Sequence, residues 1–183
     1  MIRDQQKKPE IGTVIRQDML ENQVKIVYLG LGSNLGNRIK NIELAKIRLS
    51  EEGILILKTS SYYETLSWPN PKMPKYINIV LKIKTRLTPA KLLNICKKIE
   101  TSLGRKSRPK NFPRECDIDI LDFDQKIENN SIYLPHPRMH NRNFVLFPLF
   151  EINKNWKHPR LKHHIKTLIS SLSKKDITSI KQI

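Results

Sequence analysis

Three observations predict an α+β fold of the ferredoxin-like βαββαβ type: an antiparallel sheet with helices on one face, plus C-terminal additions. Between residues 24 and 123 the apolar residues switch period in the order strand, helix, strand, strand, helix, strand. Both helical stretches run into a glycine, Gly53 or Gly104, and the second starts on a Thr88-Pro89 cap. The 183 residues are 38% apolar, which suits one packed core and leaves little room for a second domain.

The elements follow from the chain in order. Residues 24–31 (VKIVYLGL) are short, apolar and β-branched, as a buried strand requires. Residues 38–52 place Ile39, Ile42, Ala45 and Leu49 at helical spacing before Gly53. Residues 54–62 alternate and predict a second strand. Residues 64–75 contain Pro69, Pro71 and Pro74 and are expected not to continue it. Residues 77–85 (INIVLKIKT) form the third strand, with Lys82 and Lys84 on the face opposite Leu81 and Ile83. Thr88 then caps a helix through Leu92, Ile95, Cys96, Ile99 and Leu103. Residues 116–123 are the fourth strand. Beyond it the pattern is less regular, with a short apolar 132–134 and an aromatic-rich 144–152.

Composition excludes several classes. No apolar run approaches the roughly 18 residues of a membrane span, and the first ten residues lack a secretory apolar core. Two cysteines, Cys96 and Cys116, are too few and too isolated for a disulfide scaffold or a structural zinc site. The chain carries 34 Lys+Arg against 17 Asp+Glu, a formal +17. Residues 1–23 hold four basic and four acidic side chains with no sustained period, and are expected to be a loosely ordered extension. Residues 24–153, with the remaining 22 basic and 12 acidic side chains, form the expected main domain. Residues 154–183 hold eight basic side chains and one acidic, a basic segment that packs on the domain or trails it. Such a charge suits an anionic ligand, a polyphosphate or a nucleic acid. In the tail the charges are scattered, as an AT-rich coding sequence would leave them.

The predicted topology gathers the candidate chemistry at one end. In a βαββαβ sheet the connections 32–37, 63–76 and 104–115 share an end, and the last two exceed the usual loop length of about 4–6 residues. Asp117 and Asp119, two apart on a strand, leave the same face, while Ile118 and Ile120 point to the core. Paired carboxylates need a cation or hydrogen bonds to offset their repulsion, and Mg²⁺ commonly takes one or two carboxylates plus phosphate oxygens. Arg105, Lys106, Arg108, Lys110 and Arg114 lie in the loop that delivers the aspartates, which turns a solvated acidic face into a candidate polyphosphate site. The glycine-rich stretch 30–38 predicts a tight turn between strand and helix, without the spacing of a phosphate loop. Tyr76 and Asn78 share a face and would suit a flat hydrogen-bonding heterocycle or ordinary sheet packing. His136, between Pro135 and Pro137, could donate to a phosphate.

Six stretches in order carry a family resemblance: YLGLGSNLGNR (28–38), SSYYET (60–65), YIN (76–78), IETSLGR (99–105), PRECDIDILDF (113–123) and PHPRMHNRNFVLFPLFEI (135–152). The chain resembles the 6-hydroxymethyl-7,8-dihydropterin pyrophosphokinases of folate biosynthesis. The resemblance implies transfer of the β,γ-pyrophosphoryl group of ATP to a dihydropterin hydroxymethyl, with release of AMP. It implies two Mg²⁺ ions on Asp117 and Asp119, and Arg105 and Arg114 as catalytic, phosphate-contacting residues. It adds Glu100, His136 and Arg142 to the ATP contacts. For the pterin it implies Asn78 as hydrogen-bonding partner, Tyr76 and Phe144 on either side of the ring, and Thr65 nearby. Lys97 stands where many members have Gln, the 105–114 loop lacks a Trp-Gly found in some, and Leu66 replaces a frequent proline. The expected protein is a cytoplasmic monomer acting on ATP and a dihydropterin, with no nucleic-acid or membrane partner. The alternative is an RNA-binding ferredoxin-like module, against which stands an aromatic content of 7%.

Overall fold

The structure, a computed structural model, describes residues 23–67, 70–105 and 112–183. Residues 1–22 of the expected 1–23 extension and the basic residues Lys106, Arg108 and Lys110 lie outside the described residues. The described residues form one six-stranded antiparallel sheet in the order β5-β1-β4-β3-β6, with β2 also pairing β4. The strands are β1 (Lys25–Ser33), β2 (Leu55–Thr59), β3 (Tyr63–Thr65), β4 (Tyr76–Thr85), β5 (Asp117–Phe123) and β6 (Lys181–Gln182). The helices are α1 (Arg38–Glu51), α2 (Pro89–Ser102), α3 (Asn143–Ile152), α4 (Ile165–Ser170) and α5 (Lys174–Thr178), with a 3-10 turn at Met139–Asn141.

Local chemistry accounts for the helix starts. The Asn37 side chain accepts the Lys40 N–H at 3.1 Å, and Thr88 Oγ1 accepts the Lys91 N–H at 3.3 Å ahead of Pro89. Helices α1 and α2 then bury Ile42, Ala45, Leu49, Leu92, Cys96 and Ile99 against Leu29, Leu31, Ile118 and Ile120. That is the expected one-faced packing. The expected α+β order is also found, and β1 and β2 run against β4 and β5.

Three expectations need correction. Residues 54–62 are not one strand. At Ser60 the backbone N–H donates to Val80 O at 3.0 Å while the hydroxyl accepts the Val80 N–H at 2.9 Å, so a side chain replaces a ladder partner and the strand divides into β2 and β3. Strand β3 consequently reaches Thr65, inside the stretch that was expected to stay out of the sheet. The glycine-rich stretch is mostly strand: Gly30 pairs with Val80 and Asp119, and Gly32 with Asn78 and Asp117, leaving the turn to residues 34–37. Finally, the second face of the sheet is covered. Helix α3 forms in the stretch expected to be irregular, and a second core joins Tyr28, Val80 and Leu121 to Met139, Leu146, Leu149, Trp156, Ile165 and Leu168. This double coverage is why Ile79, Val80 and Leu81 are consecutive buried residues.

Candidate active site

The start of β5 sets the charged half of the site. Its alternation turns Ile118 and Ile120 into the first core and Asp117 and Asp119 toward a cavity of about 240 Å³. Asp117 Oδ1 accepts from Arg105 Nη1 at 2.8 Å and from Arg114 Nη1 at 2.9 Å. Asp119 Oδ2 lies 3.4 Å from Arg142 Nη1 and 3.7 Å from His136 Nε2. Burial, and then the neighbouring Asp117 charge, hold the Asp119 carboxyl above the usual carboxylate range. The resemblance's Asp117, Asp119, Arg105, Arg114 and Arg142 therefore all meet in one cavity.

His136 reaches this group because residues 134–136 run beside β5, with the His136 N–H donating to Leu121 O at 2.8 Å. Its Nδ1 accepts the Arg138 N–H at 3.2 Å, so Nε2 carries the proton and faces Asp119. Burial, with Arg142 and Arg138 adding to it, pulls His136 down to about 4, which keeps the ring neutral at pH 7.

Glu100 does not line the cavity. It is 5% exposed on α2, its Oε1 accepts the Ile118 N–H at 2.7 Å, and its Oε2 pairs with Arg105. It stands behind Arg105 and ties that arginine to β5; burial raises its carboxyl to about 7 against the pull of the Ile118 N–H. Lys97 likewise lies away from the cavity, on an exposed face of α2.

The other half of the cavity is polar and aromatic. Tyr76 and Asn78 enter from β4, Thr65 from β3 and Phe144 from the first turn of α3. Asn78 Nδ2 donates to Thr65 Oγ1 at 3.0 Å, both side chains being buried. That bond fixes the amide plane and leaves Oδ1 and the second N–H for another partner. Arg142 lies over the Phe144 ring at 5.3 Å and so joins the two halves.

Sequence reasoning missed several contributors. Asn34, 2% exposed, accepts the Arg114 N–H on Oδ1 at 2.8 Å and donates from Nδ2 to Pro74 O at 3.1 Å. It thereby staples the two long loops to the end of β1. Arg138 lines the cavity, and Leu66 and Leu121 supply apolar wall. Gly30 and Gly32 supply floor that side chains would fill. The clue for Arg138 was its place in the PHPRMHNR run; nothing local in the sequence announces Asn34 as a staple.

Carboxylates two apart on one strand, aimed into a cavity that also holds Arg105, Arg114, Arg138 and Arg142, fit a hard cation that shares its ligands with phosphate. No group of three or more His, Cys, Asp or Glu side chains able to hold a metal occurs among the described residues, so the donor set suits an ion completed by substrate oxygens.

The family model described as 7,8-dihydro-6-hydroxymethylpterin-pyrophosphokinase (HPPK) matches residues 28–154. The 2-amino-4-hydroxy-6-hydroxymethyldihydropteridine pyrophosphokinase of Aquifex aeolicus is 46% identical over 134 residues, covering 73% of this chain and 83% of that protein. Its Bacillus subtilis namesake is 40% identical over 129 residues, covering 69% and 77%. Among solved structures, the Plasmodium falciparum HPPK-DHPS triple mutant with pteroate shares the fold at a TM-score of 0.69 and 16% identity. That alignment covers 89% of this chain and 47% of the Plasmodium chain, so the chain spans about half of that protein.

Proposed function

The chain belongs to the 7,8-dihydro-6-hydroxymethylpterin-pyrophosphokinase family, and on that premise we propose how its own residues carry the family's reaction. The enzyme is an ATP-dependent diphosphotransferase: it moves pyrophosphate from ATP to 6-hydroxymethyl-7,8-dihydropterin in folate synthesis. The hydroxymethyl oxygen bonds to the β-phosphorus, the bond from that phosphorus to the α-phosphate bridging oxygen breaks, and AMP leaves. The hydroxyl proton passes to solvent.

One observation carries the residue assignment. A single cavity has carboxylates and arginines at one side and an amide, a hydroxyl and two aromatic rings at the other. The charged side suits the triphosphate. Asp117 and Asp119 would hold Mg²⁺, two ions in our reading, and the bound metal supplies charge neutralisation at the phosphates. Arg105 and Arg114, already positioned by Asp117, Glu100 and Asn34, balance charge on the leaving oxygen. Arg142 and the Nε2–H of His136 add donors for ATP oxygens. Glu100 acts as a positioning residue for Arg105 rather than as a contact to ATP.

The neutral side suits the pterin. Asn78 reads the edge of the ring, with Thr65 orienting the amide, while Tyr76 and Phe144 pack against its faces. The RNA-binding alternative loses its platform, because α3 and α4 cover the sheet face that such a module would expose. No helix among the described residues is long and apolar enough to cross a membrane. We take the enzyme to work as a monomer in the cytoplasm.

The test is nucleotide analysis after mixing the protein with MgATP and 6-hydroxymethyl-7,8-dihydropterin, with Asp117→Asn and Asp119→Asn alongside. Pterin-dependent AMP should appear with wild-type protein and fall by at least ~100-fold in each variant, the scale of losing a preorganised electrostatic contact. Undiminished AMP from a folded variant would remove that aspartate from the metal site.

A further inference from the structure

Segment 173–183 lies beyond the family match, which ends at residue 154, and it buries almost nothing of its own. Helix α5 has no buried residue, β6 is exposed, and Ile177 and Ile183 are 40% and 51% exposed. A segment with so little apolar burial adds little to the stability of the core. Its polar contacts, by contrast, converge on the elements that carry Phe144 and Thr65.

The first contact is at the start of α3. Asn143, 9% exposed, donates from Nδ2 to Asp176 O at 2.6 Å and to Ser179 Oγ at 3.1 Å, while its Oδ1 accepts the Phe144 N–H at 2.7 Å. The amide thus links the tail to the backbone of Phe144. The second contact is at β3. Strand β6 pairs with Tyr63 and Glu64, and the Ile183 N–H donates to Tyr62 O at 2.9 Å, so the tail closes the edge of the strand that ends in Thr65. A third link joins the two. Gln182 Nε2 donates to Ser61 Oγ at 2.9 Å, and Ser61 Oγ donates in turn to Glu151 Oε1 on α3 at 2.9 Å.

We infer that segment 173–183 is a positioning clamp for the pterin side of the cavity, setting Phe144 through Asn143 and Thr65 through β3. The inference rests on the assignment of Phe144 and Thr65 to the pterin. The clamp's bonds run to Asn143, Ser61 and β3 and reach the arginine–aspartate side only through Arg142, which precedes Asn143 and lies over Phe144, so its loss should weigh more on the pterin than on ATP.

The test measures KM for pterin and for MgATP, pterin affinity by its fluorescence, and the melting temperature. The variants are a chain ending at Leu172 and the point variant Asn143→Asp, with Phe144→Ala as control. Asn143→Asp keeps the oxygen that accepts the Phe144 N–H and loses both donors to the tail. Loss of such hydrogen bonds predicts a roughly tenfold rise in pterin KM and Kd in both clamp variants, with a clearly smaller rise in KM for MgATP. Equal rises in both KM values, or a lower melting temperature with pterin affinity intact, would make the tail merely structural and overturn the inference. If the truncated chain fails to fold, Asn143→Asp decides alone. If Phe144→Ala leaves pterin affinity unchanged, the assignment of the pterin side fails; if it weakens affinity and the clamp variants do not, only the clamp fails.

Discussion

Replacing Gly32 by alanine tests the cavity floor at atomic scale. A Cβ on Gly32 would lie 3.0 Å from Asn78 Oδ1 and 3.4 Å from Tyr76 Cδ1. The first contact is about 0.4 Å short of an ordinary Cβ approach. Asn78 cannot swing away cheaply, because its Nδ2 is held by Thr65 Oγ1 at 3.0 Å and the side chain is buried. The amide must shift or the strand must bow, at the cost of about 1–2 kcal/mol typical of mild overpacking. Most of that cost falls on the amide that we assign to the pterin. Gly32→Ala should therefore raise KM for the pterin about tenfold and leave KM for MgATP within about twofold. Gly30→Ala is the matched comparison: its Cβ would meet Leu121 Cδ2 at 3.3 Å, so the strain falls on a packed core leucine and not on the amide assigned to the pterin. The assay is AMP formation at varied pterin and fixed MgATP, with a thermal melt of each variant. An unchanged pterin KM in Gly32→Ala, or an equal rise in Gly30→Ala, would refute the assignment of Asn78.

Three further outcomes follow from buried polar groups. Asn34→Ala removes two hydrogen bonds that pin the loops carrying Arg114 and Pro74; we expect about 2 kcal/mol of destabilisation by denaturant melt and higher KM for both substrates. Trp156→Phe takes the indole donor at 2.8 Å from Asp122, a carboxylate 1% exposed, and should cost about 2 kcal/mol, a melting-temperature drop of roughly 4–8 °C, with kcat unaffected. His158 is 3% exposed; its Nδ1 accepts the Arg160 and Leu161 N–H groups and its Nε2 has no hydrogen-bond partner among the described residues. Burial, with His140, Arg160 and His163 nearby, pulls it down to about 4. The unfolded chain then binds a proton that the folded one refuses, so stability should fall as pH drops from about 6.5 to about 4, by at most about 3 kcal/mol from this group. His158→Asn keeps an acceptor for the turn and should flatten that slope; superimposable melts of the two proteins across this range would contradict it.

Much of the fold was legible because its determinants are local. Period-two alternation located β4 and placed Asp117 and Asp119 on one face, and Thr88-Pro89 marked the start of α2 to the residue. What escaped depends on partners distant in sequence. Helix α3 reads as Phe144-Val145-Leu146-Phe147-Pro148, apolar on all sides with an internal proline, so no period separates helix from strand. It is helical because the second sheet face needs covering, and that need is visible only once the sheet exists. The break between β2 and β3 turns on Ser60 meeting Val80, twenty residues away. Glu100 follows the same logic: its spacing on α2 is that of a core-facing position, and a buried glutamate there makes sense only beside the Ile118 N–H and Arg105.

The chain's charge acts on two length scales, and the structure separates them. Inside the cavity, Arg105 and Arg114 meet Asp117 at 2.8 and 2.9 Å and Arg142 meets Asp119 at 3.4 Å, separations at which salt screens little. The eight basic side chains of residues 154–183 are all exposed and line no part of the cavity, so salt, with a Debye length of roughly 8 Å at physiological strength, screens them far more than the cavity pairs. What the end of this segment presents to Asn143 and Ser61 is neutral: the Asp176 carbonyl, the Ser179 hydroxyl and the Gln182 amide. Charge reversal of Lys174, Lys175 and Lys181 should then leave pterin KM unchanged, whereas deleting the segment should not. The basic character of the tail and its contacts to Asn143 and Ser61 thus reside in different residues of one segment. Composition exposes the first, and the second comes from hydrogen bonds that net charge does not describe.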